Sequence, residues 1–480
     1  MARHARPRTD RRACGTGTMY HFGNSSLAFD VYSPKEAALK IRLRHTALAA
    51  LSLFALNVQV QAQAQAPSNL KTQVAASVNA AYPWLDGVYK DLHAHPELAF
   101  QEVRTAGKLA AEMRKLGFTV TEKVGKTGVV AIYKNGPGPT VMVRTELDGL
   151  PMEEKSGLPW ASRAKATSDG RESFTAHSCG HDIHMSAWLG TARTLLDMKS
   201  QWSGTLMFVG QPAEETVSGA QAMLADGLFT RFAKPDYAFA LHSWPLAHGT
   251  VGYNAGAVSS NSDAIEIVFK GRGGHGSAPD QSIDPIAIAA RFVVDVQTVI
   301  SREKDPKEFG VVTIGAINGG TVGNIIPDSV QVRGTIRSYS PQVRAKLLDG
   351  VKRIAVASAA MAGAPAPQVE LIPGGAAIVN SEALVQKLEP VFKDAFGADK
   401  ARRMPAMTAS EDFSQFVNQG IPSVFFFTGV YDPKDVAEAA REGGKPVAFN
   451  HSPFYAPVPE PSIKTAAQAM SLAVLNVLKR

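Results

Sequence analysis

Between Asp263 and Ile372 the apolar positions change period in the order strand, helix, strand, strand, helix, strand, and that order leaves few ways to fold. Asp263–Lys270, Gly310–Ile317, Val330–Tyr339 and Gln368–Ile372 read as strands, and Asp284–Arg302 and Pro341–Met361 read as helices. A β-α-β-β-α-β series is the split βαβ arrangement of ferredoxin-like domains. It predicts a small α+β domain over residues 260–374.

The flanks have another rhythm. Helical spacing runs from Ser77 to Gly117, and His93-Ala-His-Pro-Glu97 divides it into two helices because Pro96 removes a backbone donor. Val129–Tyr133, Thr140–Arg144, Thr205–Val209, Tyr237–Leu241 and Ser423–Phe427 read as short strands. Met185–Met198, Glu382–Phe396 and Ser462–Lys479 read as helices between and after them. Strands alternating with helices call for a sheet covered by helices, so residues 67–259 and 375–480 are expected to form one α/β domain interrupted by the insertion.

Residues 1–66 read as a leader rather than as part of the fold. Lys40-Ile-Arg-Leu-Arg44 is a basic n-region, the apolar run from Thr46 to Val58 has the length of a secretory h-region, and Ala64-Gln-Ala66 offers a small-x-small cleavage site. Cleavage near Ala66 would place the protein in the periplasm or outside the cell, without a stable membrane anchor. The formal charge of +7 is then largely a property of the leader, which carries nine Lys/Arg against three Asp/Glu. The remaining chain is almost neutral, so its charge points to no nucleic-acid partner. Cys14 leaves with the leader, and Cys179 stays as a lone thiol that no internal disulfide can use.

That thiol lies in Ala176-His-Ser-Cys-Gly-His-Asp-Ile-His184. Thiolate and imidazole suit a borderline-soft ion such as zinc, and ligands at the mouth of a turn leave coordination positions open. The bland alternative is a buried thiol beside two surface histidines. Acids and further histidines gather where strands are expected to end. Glu146 and Asp148 follow one strand, Glu214 and Glu215 another, and His242 a third. In open α/β sheets, sites collect at the carboxyl ends of strands.

Nine ordered motifs then resemble the M20 metallopeptidase family, in its amidohydrolase branch of hippurate, auxin-conjugate and N-acyl amino acid hydrolases. They are His93-Ala-His-Pro-Glu97, Asp148-Gly-Leu-Pro151, Cys179-Gly-His-Asp182, Pro212-Ala-Glu-Glu215, Leu241-His-Ser-Trp-Pro245, Gly274-His-Gly-Ser-Ala-Pro279, Gly323-Asn-Ile-Ile-Pro327, Ser410-Glu-Asp-Phe413 and His451-Ser-Pro453. The resemblance implies a zinc-peptidase-like α/β catalytic domain with an inserted ferredoxin-like lid that also dimerises. It implies two divalent metal ions, zinc or manganese, on Cys179, His181, Glu215, His242 and His451, with Glu214 as the catalytic base. The substrate implied is a small N-acyl amino acid with a hydrophobic, N-aroyl or similar, acyl group, attacked by a metal-activated water. Dipeptidase or carboxypeptidase activity is the alternative within the family. His275 would support the oxyanion in a neighbouring subunit's site, which requires a homodimer or higher oligomer. Asn324 and Arg337 are the lid groups suited to a substrate carboxylate or the oxyanion, and Asp148 would orient a ligand from behind. Glu146 departs from the aspartate common at its position in the branch, which leaves the local hydrogen bonding open. His93, His95, His177 and His184 read as structural, and Asp412 as a loop and helix-capping residue.

Two rival readings make separate demands. A Cys179 nucleophile with a histidine base leaves Glu214 and Glu215 without a task. A non-catalytic binding module on the same fold would be expected to lack a ligand or the base, and here each position is filled.

Overall fold

The computed structural model of the chain describes residues 70–479 apart from residue 169, so the leader lies outside the described residues. The main sheet has eight strands in the spatial order Thr119–Val124, Gly128–Asn135, Gly204–Gln211, Thr140–Glu146, Tyr237–Ala247, Ser423–Tyr431, Val251–Tyr253 and Ala401–Arg403. The four central strands, Gly204–Gln211 to Ser423–Tyr431, are parallel, and antiparallel strands flank them. Parallel strands are covered on both faces and read as continuous apolar runs, and all nine residues of Ser423–Tyr431 are buried.

Helices Leu70–Ala94, His181–Asp197 and Pro459–Leu478 pack together on one face of the sheet around Leu85, Trp188 and Leu472. The other face is covered through Met207, Phe413, Phe416 and Phe425. His181–Asp197 is the central helix, with 14 of its 17 residues buried, so its polar N-terminal residues are carried into the interior by the apolar ones behind them.

The insertion forms its own antiparallel sheet from Asn261–Lys270, Gly310–Asn318, Ser329–Ser338 and Gln368–Pro373. In space the second strand lies at one edge, followed by the third, the first and the fourth, which is the ferredoxin-like order. Helices Pro285–Asp295 and Pro341–Met361 bury Phe292, Leu347 and Val351 against Ile267 and Phe269. The expected Asp284–Arg302 helix stops at Asp295 and is followed by a π-helical turn at Val299–Glu303. The lid meets the catalytic body where Ser260 N–H donates to Ala409 O and Tyr339 Oη–H to Ala406 O.

Candidate metal centre

The site is built at the carboxyl end of the parallel strands. Thr140–Glu146 runs into Asp148, and Gly204–Gln211 runs into Glu214 and Glu215. His242 lies inside Tyr237–Ala247, a strand that continues six residues beyond the expected Leu241. Its backbone pairs with Phe427, which locks the position of the ring.

Cys179 enters from the turn before the central helix, where Gly180 holds φ +86° and a Cβ would collide with Ser243 Oγ. Only glycine combines that dihedral with that closeness. His451 and Ala213 also occupy positive φ, at 67° and 50°. Strain of this kind persists where the surroundings over-determine it.

Ligand-type atoms of Cys179, His181 and His242 lie within 4.8 Å of one another, and so do those of Cys179, Glu215 and His451. The two triads share only Cys179, which places one sulfur between them. Cys179 Sγ is 3.3 Å from His242 Nε2, and Glu215 Oε2 is 3.2 Å from His451 Nε2. His181 Nδ1–H donates to Asp148 O at 2.7 Å and His242 Nδ1–H to Ser243 O at 2.8 Å, so both rings turn Nε2 inward, where the neutral form can ligate a cation. His181 Nε2 and Glu215 Oε1 are buried without a hydrogen-bond partner among the described residues. Orphan acceptors are costly unless something positive meets them.

The electrostatics point the same way. Burial pushes the Cys179 thiol well up, and Glu215 and Glu214 push it further. Burial lowers the His181 pKa, but Asp148, Glu146 and Glu215 outweigh it and raise it to about 10. Glu214 is held well above the carboxylate range by burial and by Glu411 and Glu215, and burial raises Glu215 to about 7. The cluster therefore carries an excess of buried acid that favours bound positive charge. Divalent cations supply that charge and hold the thiol as thiolate, so the residues present fit two ions.

Asp148 does more than expected. Its carbonyl accepts from His181, while its carboxylate oxygens accept Glu214 N–H and Glu215 N–H, each at 3.0 Å. One residue thus sets the His181 ring and the turn that carries the acid pair.

Several participants were not singled out from sequence. Asn450 Nδ2–H donates to Cys179 O at 3.1 Å and to Ser243 O at 3.4 Å, tying the Cys179, His242 and His451 segments together. Arg144, wholly buried, bonds Glu146, Glu411 and Asp412. Glu146 accepts His184 Nδ1–H at 3.0 Å, and His184 Nε2 accepts Ser243 N–H at 2.7 Å, which engages both nitrogens of His184. Asp412 caps a helix, but a remote one: it accepts Ala220 N–H at 2.9 Å rather than a donor in its own loop. A cation inside an apolar strand run was the signal for this network, because such a charge must be paired. His93 joins Asp182 at 2.6 Å to Glu154 at 3.0 Å, and exposed His95 bonds Asp91 O. His177 is buried and neither ring nitrogen has a partner among the described residues.

The lid residues divide. Arg337 lines the same cavity of about 350 Å³ as Cys179, Glu214, Glu215, His242 and His451. His275 and Asn324 do not line it. They sit side by side on an exposed ribbon where His275 pairs with Ile325 and Gly276 N–H donates to Asn324 O. Ser277 N–H donates to His275 Nδ1 at 3.1 Å, which leaves Nε2–H as an outward donor.

A sequence profile of Peptidase family M20/M25/M40 matches residues 142–458. The chain belongs to this family. Among the curated relatives of this M20 chain, the IAA-amino acid hydrolase ILR1-like 4 of Arabidopsis thaliana is 33% identical over 79% of the chain and 82% of its own length. The hippurate hydrolase of Campylobacter jejuni is 35% identical over 68% of the chain and 82% of its own length. The crystal structure of the YXEP protein of Bacillus subtilis, a dinuclear metal binding peptidase from the M20 family, matches with a TM-score of 0.69 at 28% identity. That match covers 83% of the chain and 99% of the YXEP chain. The protein is a metal-dependent amidohydrolase of the M20 family that acts on a small-molecule substrate.

Proposed function

We propose that the chain hydrolyses the amide bond of N-acyl amino acids with a hydrophobic acyl group. The observation that carries this reading is Arg337, whose Nη1 is buried without a hydrogen-bond partner among the described residues and whose side chain lines the cavity shared with the acid, thiol and imidazole cluster. A planar guanidinium in that state is suited to a carboxylate held by two parallel bonds, and an N-acyl amino acid carries one next to its amide. The names of the hippurate and IAA-amino acid hydrolases support the same substrate class.

Cys179, His181 and His242 would hold one divalent ion, and Cys179, Glu215 and His451 the other. The ions supply Lewis-acid polarisation of the scissile carbonyl and acidify water at neutral pH. Thiolate ligation favours zinc, and the carboxylate and imidazoles accept manganese. Glu214 is not needed in either triad, and its Oε2 lies 3.8 Å from His181 Nε2. It takes the proton of the attacking water and returns it to the leaving nitrogen, which an amide requires because an amine anion is a poor leaving group. The His275 Nε2–H, exposed on the lid and outside its own cavity, would serve the oxyanion of a neighbouring subunit, with Asn324 beside it. On this reading the enzyme is at least a dimer. Export with cleavage near Ala66 belongs to the same proposal, and intact mass of the recovered protein tests it.

The test of substrate class is a panel of N-acyl amino acids, their carboxamide-capped forms and dipeptides, assayed with metal-reconstituted protein. The proposal expects N-acyl amino acids to lead, with capping lowering kcat/KM at least about a hundredfold, the scale for an unmatched buried polar group. Equal rates on capped and free substrates would remove Arg337 from the reading. Dipeptides as the leading substrates would favour the peptidase alternative.

A further inference from the structure

Trp244 and Phe449 line the cavity with the metal-ligating cluster and meet edge to face, with centroids 4.9 Å apart. Phe427 backs Trp244 from within the strand, at 5.1 Å. Phe449 leaves 53% of its surface exposed, and the ring it meets, Trp244, is itself only half-buried. Met407 and Val217 add apolar surface to the same cavity. Aromatic faces and edges left open in a pocket are where a further ring gains contact.

We infer that Trp244 and Phe449 form the acyl-group wall of the site and select an aromatic acyl group. The inference rests on the N-acyl amino acid reading and adds the residues that determine its specificity. Each of the two is separated by one residue from a metal ligand, Trp244 from His242 and Phe449 from His451. Two residues of chain span at most about 7 Å, so the wall begins within one ring's length of the ligands. In an N-aroyl amino acid the ring is bonded directly to the scissile carbonyl, which must lie at the ligands. The amino-acid side chain is two atoms further from that carbonyl, and its carboxylate is drawn to Arg337 on the lid. The three sectors of the cavity thus correspond to the ring, carbonyl and carboxylate of one substrate.

Phe449 is the better residue to vary, because its exposure makes truncation cheap for the fold. The experiment compares N-benzoylglycine, N-acetylglycine and N-acetylphenylalanine with wild type, Phe449→Ala and Phe449→Tyr, each metal-reconstituted. The expected result is a fall of about tenfold in the benzoyl-to-acetyl ratio of kcat/KM in Phe449→Ala, the scale of one lost aromatic contact, with the ratio restored in Phe449→Tyr. An unchanged ratio in Phe449→Ala would overturn the inference. So would a loss confined to N-acetylphenylalanine, which would give the wall to the amino-acid side chain. Wild type that hydrolyses none of the three would instead refute the N-acyl amino acid reading beneath it.

Discussion

Glu214 and Glu215 are neighbours in sequence, and the turn that carries them is held by Asp148 through both backbone N–H groups; on the proposed reading the first is the base and the second a ligand. Glu214→Gln keeps shape but cannot accept a proton, so turnover should fall at least about a hundredfold while metal content, measured by elemental analysis, stays at the wild-type level. His93 offers a test at pH values where catalysis is not involved. Burial alone lowers its pKa, but hydrogen bonds to Asp182 and Glu154 outweigh this and raise it to about 10. A raised folded-state pKa gives stability that is complete below about 6.5, the unfolded value, and is lost as pH rises through about 10. Urea titrations should show the advantage of wild type over His93→Gln shrinking steadily across that window. At this scale the gathering of Cys179, His181, Glu215, His242 and His451 was expected from the motifs that resemble the M20 family, and the lone thiol and the acids at strand ends pointed to the same place. Asn450 was not legible, because an asparagine in a loop carries no signal until its neighbours Cys179 and Ser243 are in place.

The central helix shows why a motif works only on its element. His181–Asp197 is buried nearly throughout, and the left-handed Gly180 turns the chain so that Cys179 and His181 face the same space. Gly180→Ala should destabilise the protein by about 1–3 kcal/mol, because the new Cβ meets both a forbidden dihedral and Ser243 Oγ. The same variant should retain less metal after dialysis, and wild-type stability with full metal content would contradict this account of the turn. Helices Pro341–Met361 and Glu382–Phe396 coincide with their periodicity, since each has a serine N-cap and one apolar face. Strands such as Val251–Tyr253 and Ala401–Arg403 escaped notice because three residues hold no measurable period, and only pairing with distant strands makes them strands. Arg144 stood in plain view within a strand, two residues from Glu146, yet its other two acidic partners, Glu411 and Asp412, come from a distant segment that sequence spacing cannot join.

Across the whole molecule, the lid contributes Arg337 to its own cavity but presents His275 and Asn324 on an exposed ribbon. If that ribbon serves a neighbour, mixing His275→Ala with Glu214→Gln, each nearly inactive alone, should restore activity in hybrid sites that hold a good histidine and a good base. Full subunit exchange without recovery would return His275 to its own subunit or remove it from catalysis. The two-domain plan was legible because the β-α-β-β-α-β order is local in sequence. The partition of lid residues was not, since it depends on which face of the inserted domain meets the cleft. Hydrolysis of N-acyl amino acids at the proposed two-ion site centred on Cys179 can be read by following N-benzoylglycine turnover while zinc or manganese is titrated into chelator-stripped protein. The stripped protein should show no turnover, and activity should recover to a plateau near two ions per chain. Full turnover in the stripped protein, abolished by alkylation of Cys179, would contradict the two-ion site.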